Sequence, residues 1–403
     1  MSGTARAAVA ATLTGDVLEI GPGSVPFPAA PGARRVFVDK SVPGGRDATW
    51  PELVGTPWGP PADLDLDLDA DGLAPLAEAS FDAVVASHVL EHLANPLAAL
   101  GEFRRVLRPG GQLVLVLPDR TRTFDQGREP TPAAHVLAEH VADVTVVSDA
   151  HVREFCAAIF AQPPIHPPEV RAWHDPDRLD AATLDLHRRR SIHVHCWRPE
   201  EFVALLAATL AGGHGGWALE SQWTYETAIG GPDIEFGLVL TPTDGEPDAL
   251  ATALVAEWAR GLLAEPARAS RFPVLVTTLL EQSASASVGR AWAAAVTAVL
   301  ADGVQGRDAA AAAALAEHTA LLAEAAARKA EAATLARDLD AVHMSRTYRL
   351  ARARYADPQP AASLALTAPH LRVDLCLSPH PQGLDGVGLT RCRGRSARSC
   401  AAH

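Results

Sequence analysis

Between residues 17 and 117, short apolar runs rich in β-branched residues alternate with segments of helical length. The runs cover residues 17–20, 35–38, 81–86 and 112–117. Runs that are apolar on both faces are typical of parallel strands covered by helices on each side. Apolar residues at helical spacing over 97–107 predict a crossover helix before the last run, and the turn-forming residues 108–111 separate the two. The predicted fold class is α/β, with a Rossmann-like, mostly parallel sheet.

A glycine-containing loop follows the first predicted strand. Gly21 and Gly23 stand directly after it, where open α/β sheets bind their ligands and where glycine lets the backbone approach closely. A dinucleotide-binding loop needs a third glycine near position 26, which is Pro26 here, so an NAD site is disfavoured. Asp39 ends the second strand, where a carboxylate can accept hydrogen bonds from ribose hydroxyls. The pattern indicates an adenosine-type ligand.

Five motifs in order make the resemblance specific. They are ExGxG at Glu19, Gly21 and Gly23; the acid Asp39; the run ASFDAVV at 79–85; SHVLEHL at 87–93; and LRPGG at 107–111. Together they resemble the class I S-adenosylmethionine-dependent methyltransferases, in the subgroup called methyltransferase type 11. The resemblance is strong over about residues 15–120 and weaker up to 241. It implies the methyltransferase fold with a late antiparallel strand, and S-adenosylmethionine as the cofactor.

The resemblance also implies roles for the glycine loop. Glu19, Gly21 and Gly23 would line the methionine and ribose part of the cofactor, and Asp39 would bind the ribose. An alternative for Glu19 is that it only orients the glycine loop through hydrogen bonds.

Three acids near the third strand compete for the adenine amine. The resemblance favours Asp67, with Asp65 and Asp69 as alternatives, and most of these acids could simply lie on a solvated strand face. Ser87 and His88, after the fourth strand, would face the sulfonium and the acceptor.

Two metal-binding patterns occur in the same region. Residues 67–78 match the spacing of an EF-hand calcium loop, but Pro60, Pro61 and Pro75 and the following strand do not suit its two flanking helices. His88, Glu91 and His92 match the zinc pattern HxxEH, yet they fall at a strand-to-helix turn. We predict no metal site.

Transfer to a hydroxyl group requires a base, whereas an amine or thiol that is already nucleophilic does not need one. His88 is the first candidate because it follows the fourth strand, and Asp119, after the fifth, is the carboxylate alternative. Residues 192–197 read as a strand with His193 and His195 on one face, so His195 is a further candidate. This histidine pair could also bind a metal, or be surface or half-buried histidines without a site role.

Charge and composition limit the partners. The formal net charge of −13 argues against a general nucleic-acid surface and favours a small-molecule or glycan acceptor. No apolar run reaches the ~20 residues of a membrane span. The five cysteines show no CxxC spacing, which is typical of reduced thiols, and we expect a cytoplasmic protein.

We predict three regions. Residues 1–245 form the methyltransferase domain, with an insertion at about 119–198 and a late β-hairpin. Residues 246–355 are alanine-rich and helical, with segments at 248–264, 272–302 and 307–343; the last is a possible coiled coil through which the chain could form a homo-oligomer. Residues 356–403 are predicted to lack structure.

Three functions fit these features. The first is methylation of a hydroxyl on a sugar or cell-surface glycan precursor, because residues 118–125 and 344–350 resemble segments of enzymes from polysaccharide assembly. The second is methylation of a small natural product, and the third is a non-enzymatic scaffold that binds the cofactor.

Overall fold

The computed structural model describes residues 5–303 except 42–44, 46–48, 51–53, 56–58, 163–170, 225–233, 265–270 and 284–285, and it also describes 364–368 and 371–375. The chain divides into two units, residues 1–331 and 332–403. Among the helices described, none has the length and apolar character needed to cross a bilayer.

A seven-stranded sheet organises the first unit. Its strands are β1 (Asp16–Ile20), β2 (Arg34–Asp39), β3 (Leu64–Asp65), β4 (Phe81–Ser87), β5 (Leu107–Pro118), β6 (Trp217–Thr224) and β7 (Glu235–Pro242). The spatial order is β3-β2-β1-β4-β5-β7-β6. Six of these strands run in one direction, and β7 runs in the opposite direction. A dinucleotide-binding sheet instead has the order 3-2-1-4-5-6. The predicted α/β class and late antiparallel strand are confirmed.

The α-helices described in the first unit are α1 (Ala5–Thr12), α2 (Pro96–Val106), α3 (Ala133–Val141), α4 (Asp149–Ala161), α5 (Ala181–Arg189), α6 (Pro199–Ala211), α7 (Pro247–Ala264), α8 (Phe272–Gln282) and α9 (Ala286–Gly303). The predicted crossover helix is α2. Asn95 caps it by accepting the Ala98 N–H at 3.1 Å, and Pro96 occupies its first turn. Residues 108–111 form an irregular entry into β5 instead of a separate turn.

The sheet buries both of its faces. Val84 and Leu113 belong to the larger core, whereas their neighbours Val85 and Val114 belong to a second core on the opposite face. Successive residues of a strand point to opposite sides, so a strand covered on both sides must be apolar throughout. This is why the strand runs in the sequence are continuous and not alternating.

The alanine-rich helices α7 to α9 pack on the larger core. Trp258, Leu275 and Trp292 are nearly inaccessible to solvent and share that core with the sheet. The alanine-rich residues after about 245 therefore share one hydrophobic core with the sheet, although the composition changes there. The predicted helix 272–302 is divided between α8 and α9, since α8 ends at Ser283 in an extended conformation. The possible coiled coil over 307–343 lies outside the described residues.

The insertion at 119–198 has a small core of its own, formed by α4, α5 and the chain after α5. Val152, Cys156, Leu184 and Val194 are buried in it. The predicted strand 192–197 is wrong: in this stretch only Trp197 forms a bridge, with Asp119.

Other partners take the backbone of that stretch. The Val194 and His195 N–H groups donate to the Glu91 carbonyl oxygen, and the Cys196 N–H donates to Oγ1 of Thr131. His193 and His195 are both buried, so they do not form one exposed face of a strand.

The second unit contains an antiparallel hairpin of β8 (Leu364–Ala368) and β9 (Leu371–Leu375). It falls in the segment for which the sequence predicts no structure, so the structure differs from that prediction for these residues. The alternating apolar residues of β9, and the apolar start of β8, favour β-structure even in a tail rich in proline and arginine.

Candidate functional site

The carboxyl ends of β1, β2, β4 and β5 meet at one edge of the sheet. Gly21 follows β1, Asp39 ends β2, His88 follows β4 and Asp119 follows β5. The chain order reverses between β1 and β4, and open α/β sheets form their ligand crevice at such a switch point. Most of the predicted site residues are thus brought together by the strand order.

The glycine loop requires glycine for two distinct reasons. Gly21 has φ of +58°, and a Cβ there would lie 3.3 Å from Cγ2 of Val89, in the loop after β4. Gly23 has φ of +55°, and its carbonyl oxygen accepts the Gly59 N–H at 3.0 Å. A Cβ on Gly59 would clash with that oxygen. The loop is held by close backbone contacts that any side chain would obstruct.

Glu19 lies beneath this loop and is 2% exposed. Its Oε1 accepts the Phe27 N–H at 2.7 Å, and its Oε2 pairs with the Arg35 guanidinium. Burial raises the pKa of this carboxyl above its ordinary value, although both partners oppose that change. Of the two roles expected for Glu19, these contacts support orientation of the loop.

Asp39 is half-buried at the end of β2. One oxygen, Oδ1, accepts the Lys40 N–H at 2.9 Å. Burial raises the pKa of the Asp39 carboxyl above its ordinary value. A carboxylate with spare acceptor capacity at this strand end suits a pair of ribose hydroxyls.

The three acids near β3 have different partners. Asp69 accepts the N–H groups of Ala94 at 2.9 Å and Asn95 at 3.1 Å, and so it holds the start of α2. Asp65 is exposed and accepts the Ser41 N–H at 2.6 Å. Asp67 is half-buried, with Oδ2 3.7 Å from the Lys40 ammonium. The Oδ1 of Asp67 also accepts the Asp69 N–H at 3.1 Å, so all three acids take part in local hydrogen bonds or ion pairs.

His88 has the most strongly charged surroundings at this edge. It adopts φ of +57°, and its Nε2 lies 3.1 Å from Oε2 of Glu235, while its Nδ1 lies 3.5 Å from Oε1 of Glu91. Burial alone would lower the pKa of His88, but the two carboxylates outweigh it and raise the pKa to about 9. His88 is therefore an imidazolium at neutral pH.

Sequence reasoning missed two members of this charged group. Glu235 begins β7, opposite Pro118 at the end of β5, and its Oε1 accepts from the guanidinium of Arg6 on α1. Arg6 also lies over the Phe27 ring, 4.6 Å from its centroid. No local pattern marks either residue, because Glu235 reaches the site only through the antiparallel pairing of β7 with β5.

The remaining predicted residues divide between this edge and the insertion. Ser87 is half-buried beside His88. Asp119 is fully buried, and its Oδ1 accepts from the Thr121 N–H at 2.8 Å and the Thr121 hydroxyl at 2.6 Å, which stabilises the turn after β5. His195 is also fully buried, but it lies among side chains of α3 and α4 and not with the glycine loop.

Glu91 and His92 complete the HxxEH pattern. Burial alone would raise the pKa of Glu91, but hydrogen bonding to His88 and the charges of the nearby histidines bring that pKa to about 2. Burial lowers the pKa of His92 to about 4, and His92 Nδ1 lies 3.0 Å from the Ile192 carbonyl oxygen. Glu91 thus acts as a buried anion that balances the charge of His88.

Parts of this chain are similar in sequence to known proteins. The family model described as a methyltransferase domain matches residues 60–115. A ubiquinone biosynthesis O-methyltransferase of Xanthomonas campestris pv. campestris (strain B100) is 31% identical over 132 residues, which are 32% of this chain and 45% of that protein. A probable S-adenosylmethionine-dependent methyltransferase of Mycolicibacterium smegmatis is 40% identical over 72 residues, 18% of this chain and 28% of that protein. This chain spans less than half the length of these curated relatives.

Among solved structures, the mitomycin 7-O-methyltransferase MmcR is similar at 14% identity with a TM-score of 0.28, over 57% of this chain and 49% of that one. The trans-methyltransferase CalH in complex with SAH is similar at 15% identity with a TM-score of 0.27, over 57% of this chain and 52% of that one.

Proposed function

We propose that this chain, which carries a class I S-adenosylmethionine-dependent methyltransferase domain, transfers a methyl group from that cofactor to a hydroxyl group of its acceptor. The observation that carries the proposal is one shared edge of the sheet. There a glycine loop and a ribose-type acid, Asp39, lie beside a charged His88–Glu235 pair. The first two features suit an adenosine-type cofactor, and the third suits control of a proton.

The residues at this edge fit the cofactor. The backbone of Gly21 and Gly23 would approach its methionine and ribose part. Asp39 would accept hydrogen bonds from the ribose hydroxyls, and Asp67 would accept one from the adenine amine. Glu19 would position the glycine loop through its hydrogen bond with Phe27, without touching the cofactor itself. When bound, S-adenosylmethionine supplies an electrophilic methyl group, and the protein supplies orientation.

His88 is the side chain that we assign to the acceptor proton. Glu91 and Glu235 face its two ring nitrogens and balance its charge, and it accepts the acceptor proton only when it is itself neutral. Asp119 is the carboxylate alternative, although the turn at Thr121 already occupies its Oδ1. We no longer favour His195 as a base, because its contacts lie within the insertion.

For the acceptor class, we propose a hydroxyl of a sugar or cell-surface glycan precursor. Support comes from the resemblance of residues 118–125 to enzymes of polysaccharide assembly, and from the similarity to a relative named as an O-methyltransferase. The net charge of −13 also favours an acceptor that carries no large negative charge.

Calorimetric titration of the purified chain with S-adenosylmethionine and S-adenosylhomocysteine, with NAD as the control, tests the cofactor step. We expect micromolar binding of the two sulfur nucleotides and none of NAD. A screen of sugar and nucleotide-sugar acceptors with radiolabelled cofactor then tests the acceptor class. Binding without methylation of any acceptor would favour a scaffold, and methylation of only non-sugar acceptors would refute the sugar assignment. Absence of cofactor binding would refute the whole proposal.

A further inference from the structure

A cluster of four metal-ligating side chains lies in the insertion, outside the proposed methyl-transfer site. His135 and Glu139 project from α3, His151 from the first turn of α4, and His195 from the loop after α5. We propose that these four side chains, called here the histidine cluster, bind one divalent transition-metal ion of the Zn²⁺ type. The inference is independent of the proposed methyl transfer.

The distances within the histidine cluster match a shared ion. Nε2 of His135 lies 3.3 Å from Nε2 of His151, and these atoms lie 3.2 and 2.7 Å from Oε1 of Glu139. Nε2 of His195 lies 3.6 Å from Oε2 of Glu139. Ligand atoms at about 2.0–2.1 Å from a tetrahedral Zn²⁺ are separated by about 3.3 Å. The donor atoms of His135, Glu139 and His195 all lie within 4.8 Å of one another, and His151 lies beside the first two, so the four side chains can converge on one ion.

Burial supplies a second, independent observation. His195 is fully buried, and its Nε2 and Oε2 of Glu139 have no hydrogen-bond partner among the described residues. Leaving such atoms unpaired in the interior is unfavourable. A bound cation would coordinate both atoms. It would also account for the close approach of three imidazole rings, whose centroids lie 5.1–5.9 Å apart.

The donor set determines the class of ion. Three imidazole nitrogens and one carboxylate suit Zn²⁺ and similar transition ions, whereas Ca²⁺ and Mg²⁺ require oxygen ligands. His135 and Glu139 are four residues apart on α3 and so share a helix face. With four protein ligands the site is closed, which is typical of a structural and not a catalytic metal.

The position of the ion gives it a mechanical role. It would join α3 and α4 to the loop that holds His195, and this loop donates backbone hydrogen bonds from Val194 and His195 to the carbonyl oxygen of Glu91. Local spacing does not reveal this site, because its ligands come from three separate segments of the chain.

The test uses the full chain, stripped with a chelator and dialysed, and then titrated with Zn²⁺ or Co²⁺ alone. We expect one equivalent of bound zinc by elemental analysis, visible absorption bands of tetrahedral Co²⁺, and a higher melting temperature with metal. His135→Gln and Glu139→Gln should weaken metal binding more than about 100-fold, since losing even an outer partner of a ligand costs about 10–100-fold.

His140→Gln is the matched control, because His140 lies on the same helix but contacts Asn95 and not the histidine cluster. It should bind zinc as the unaltered chain does. His135 is partly exposed, so its variant should fold, and circular dichroism checks this. No bound zinc, or unchanged affinity in the two ligand variants, would overturn the proposal. So would loss of binding in His92→Gln alone, which would place the ion at the neighbouring Glu91, His92 and His193 group.

Discussion

The charge on His88 can be tested by removing one of the two carboxylates that maintain it. In the intact protein the pKa of His88 is raised from 6.5 to about 9, so only ~1% of this side chain is neutral at pH 7. Glu235→Gln removes the nearer carboxylate, 3.1 Å from Nε2, and leaves Glu91 in place. We expect the pKa of His88 to fall by at least about 1 unit, because burial then opposes the charge with less compensation.

The assay is a pH titration of the imidazole nitrogens by nitrogen-15 NMR, with His88→Gln to assign the signal. The control is Glu220→Gln, which removes an exposed carboxylate on β6. This carboxylate accepts a hydrogen bond from the Thr241 hydroxyl on β7. It should leave the His88 titration unchanged. A pKa of His88 near 6.5 in the unaltered chain, or an unchanged pKa in Glu235→Gln, would refute the charge assignment.

The raised pKa also has consequences for stability and rate. Because the folded pKa exceeds the unfolded one, the stability contributed by protonated His88 is fully present below about pH 6.5 and is lost as the pH rises through about 9. The free energy of unfolding should therefore decline over that interval, and the decline should be smaller in His88→Gln. If His88 accepts the acceptor proton, kcat/KM should rise with pH up to about 9, and the midpoint should move to lower pH in Glu235→Gln.

Three substitutions test other parts of the structure. Asp39→Ala should weaken calorimetric binding of S-adenosylmethionine by about 5- to 150-fold, the loss expected for about 1–3 kcal/mol of hydrogen bonding, whereas Asp185→Ala, which removes an exposed acid on α5, should not; equal affinities would contradict the ribose role. Gly21→Ala should also weaken cofactor binding while the fold is kept, since its φ of +58° and the 3.3 Å approach to Val89 strain any side chain; unchanged affinity would show that the loop adapts. Trp258→Ala should lower the free energy of unfolding by about 3–5 kcal/mol in urea titration, because this side chain on α7 is fully buried in the core shared with the sheet; a negligible change would indicate that α7 folds apart from it.

Much of the fold could be predicted from the sequence because its signals are local. A strand that is covered on both faces must be apolar at consecutive positions, and a loop that approaches a ligand must carry glycine, so β1, β4, β5 and the Gly21–Gly23 loop are all visible in short segments. The cofactor acids could be proposed for the same reason, since each follows a strand end. The stretch 192–197 shows the limit: its composition suits a strand, but its backbone bonds to Glu91 and Thr131 instead of to a neighbouring strand.

Only the tertiary structure decided which charges meet. Glu235 is 147 residues from His88 and 229 from Arg6, and it contacts both because β7 is inserted antiparallel beside the end of β5. His195 likewise joins His135 and His151 through the packing of three segments and not through their spacing. Sequence periodicity reports which residues are buried, but the partner of a buried charge depends on the order of the strands and the path of the chain between them. The pairing of His88 with Glu235, and the metal site proposed for the histidine cluster, therefore became visible only in three dimensions.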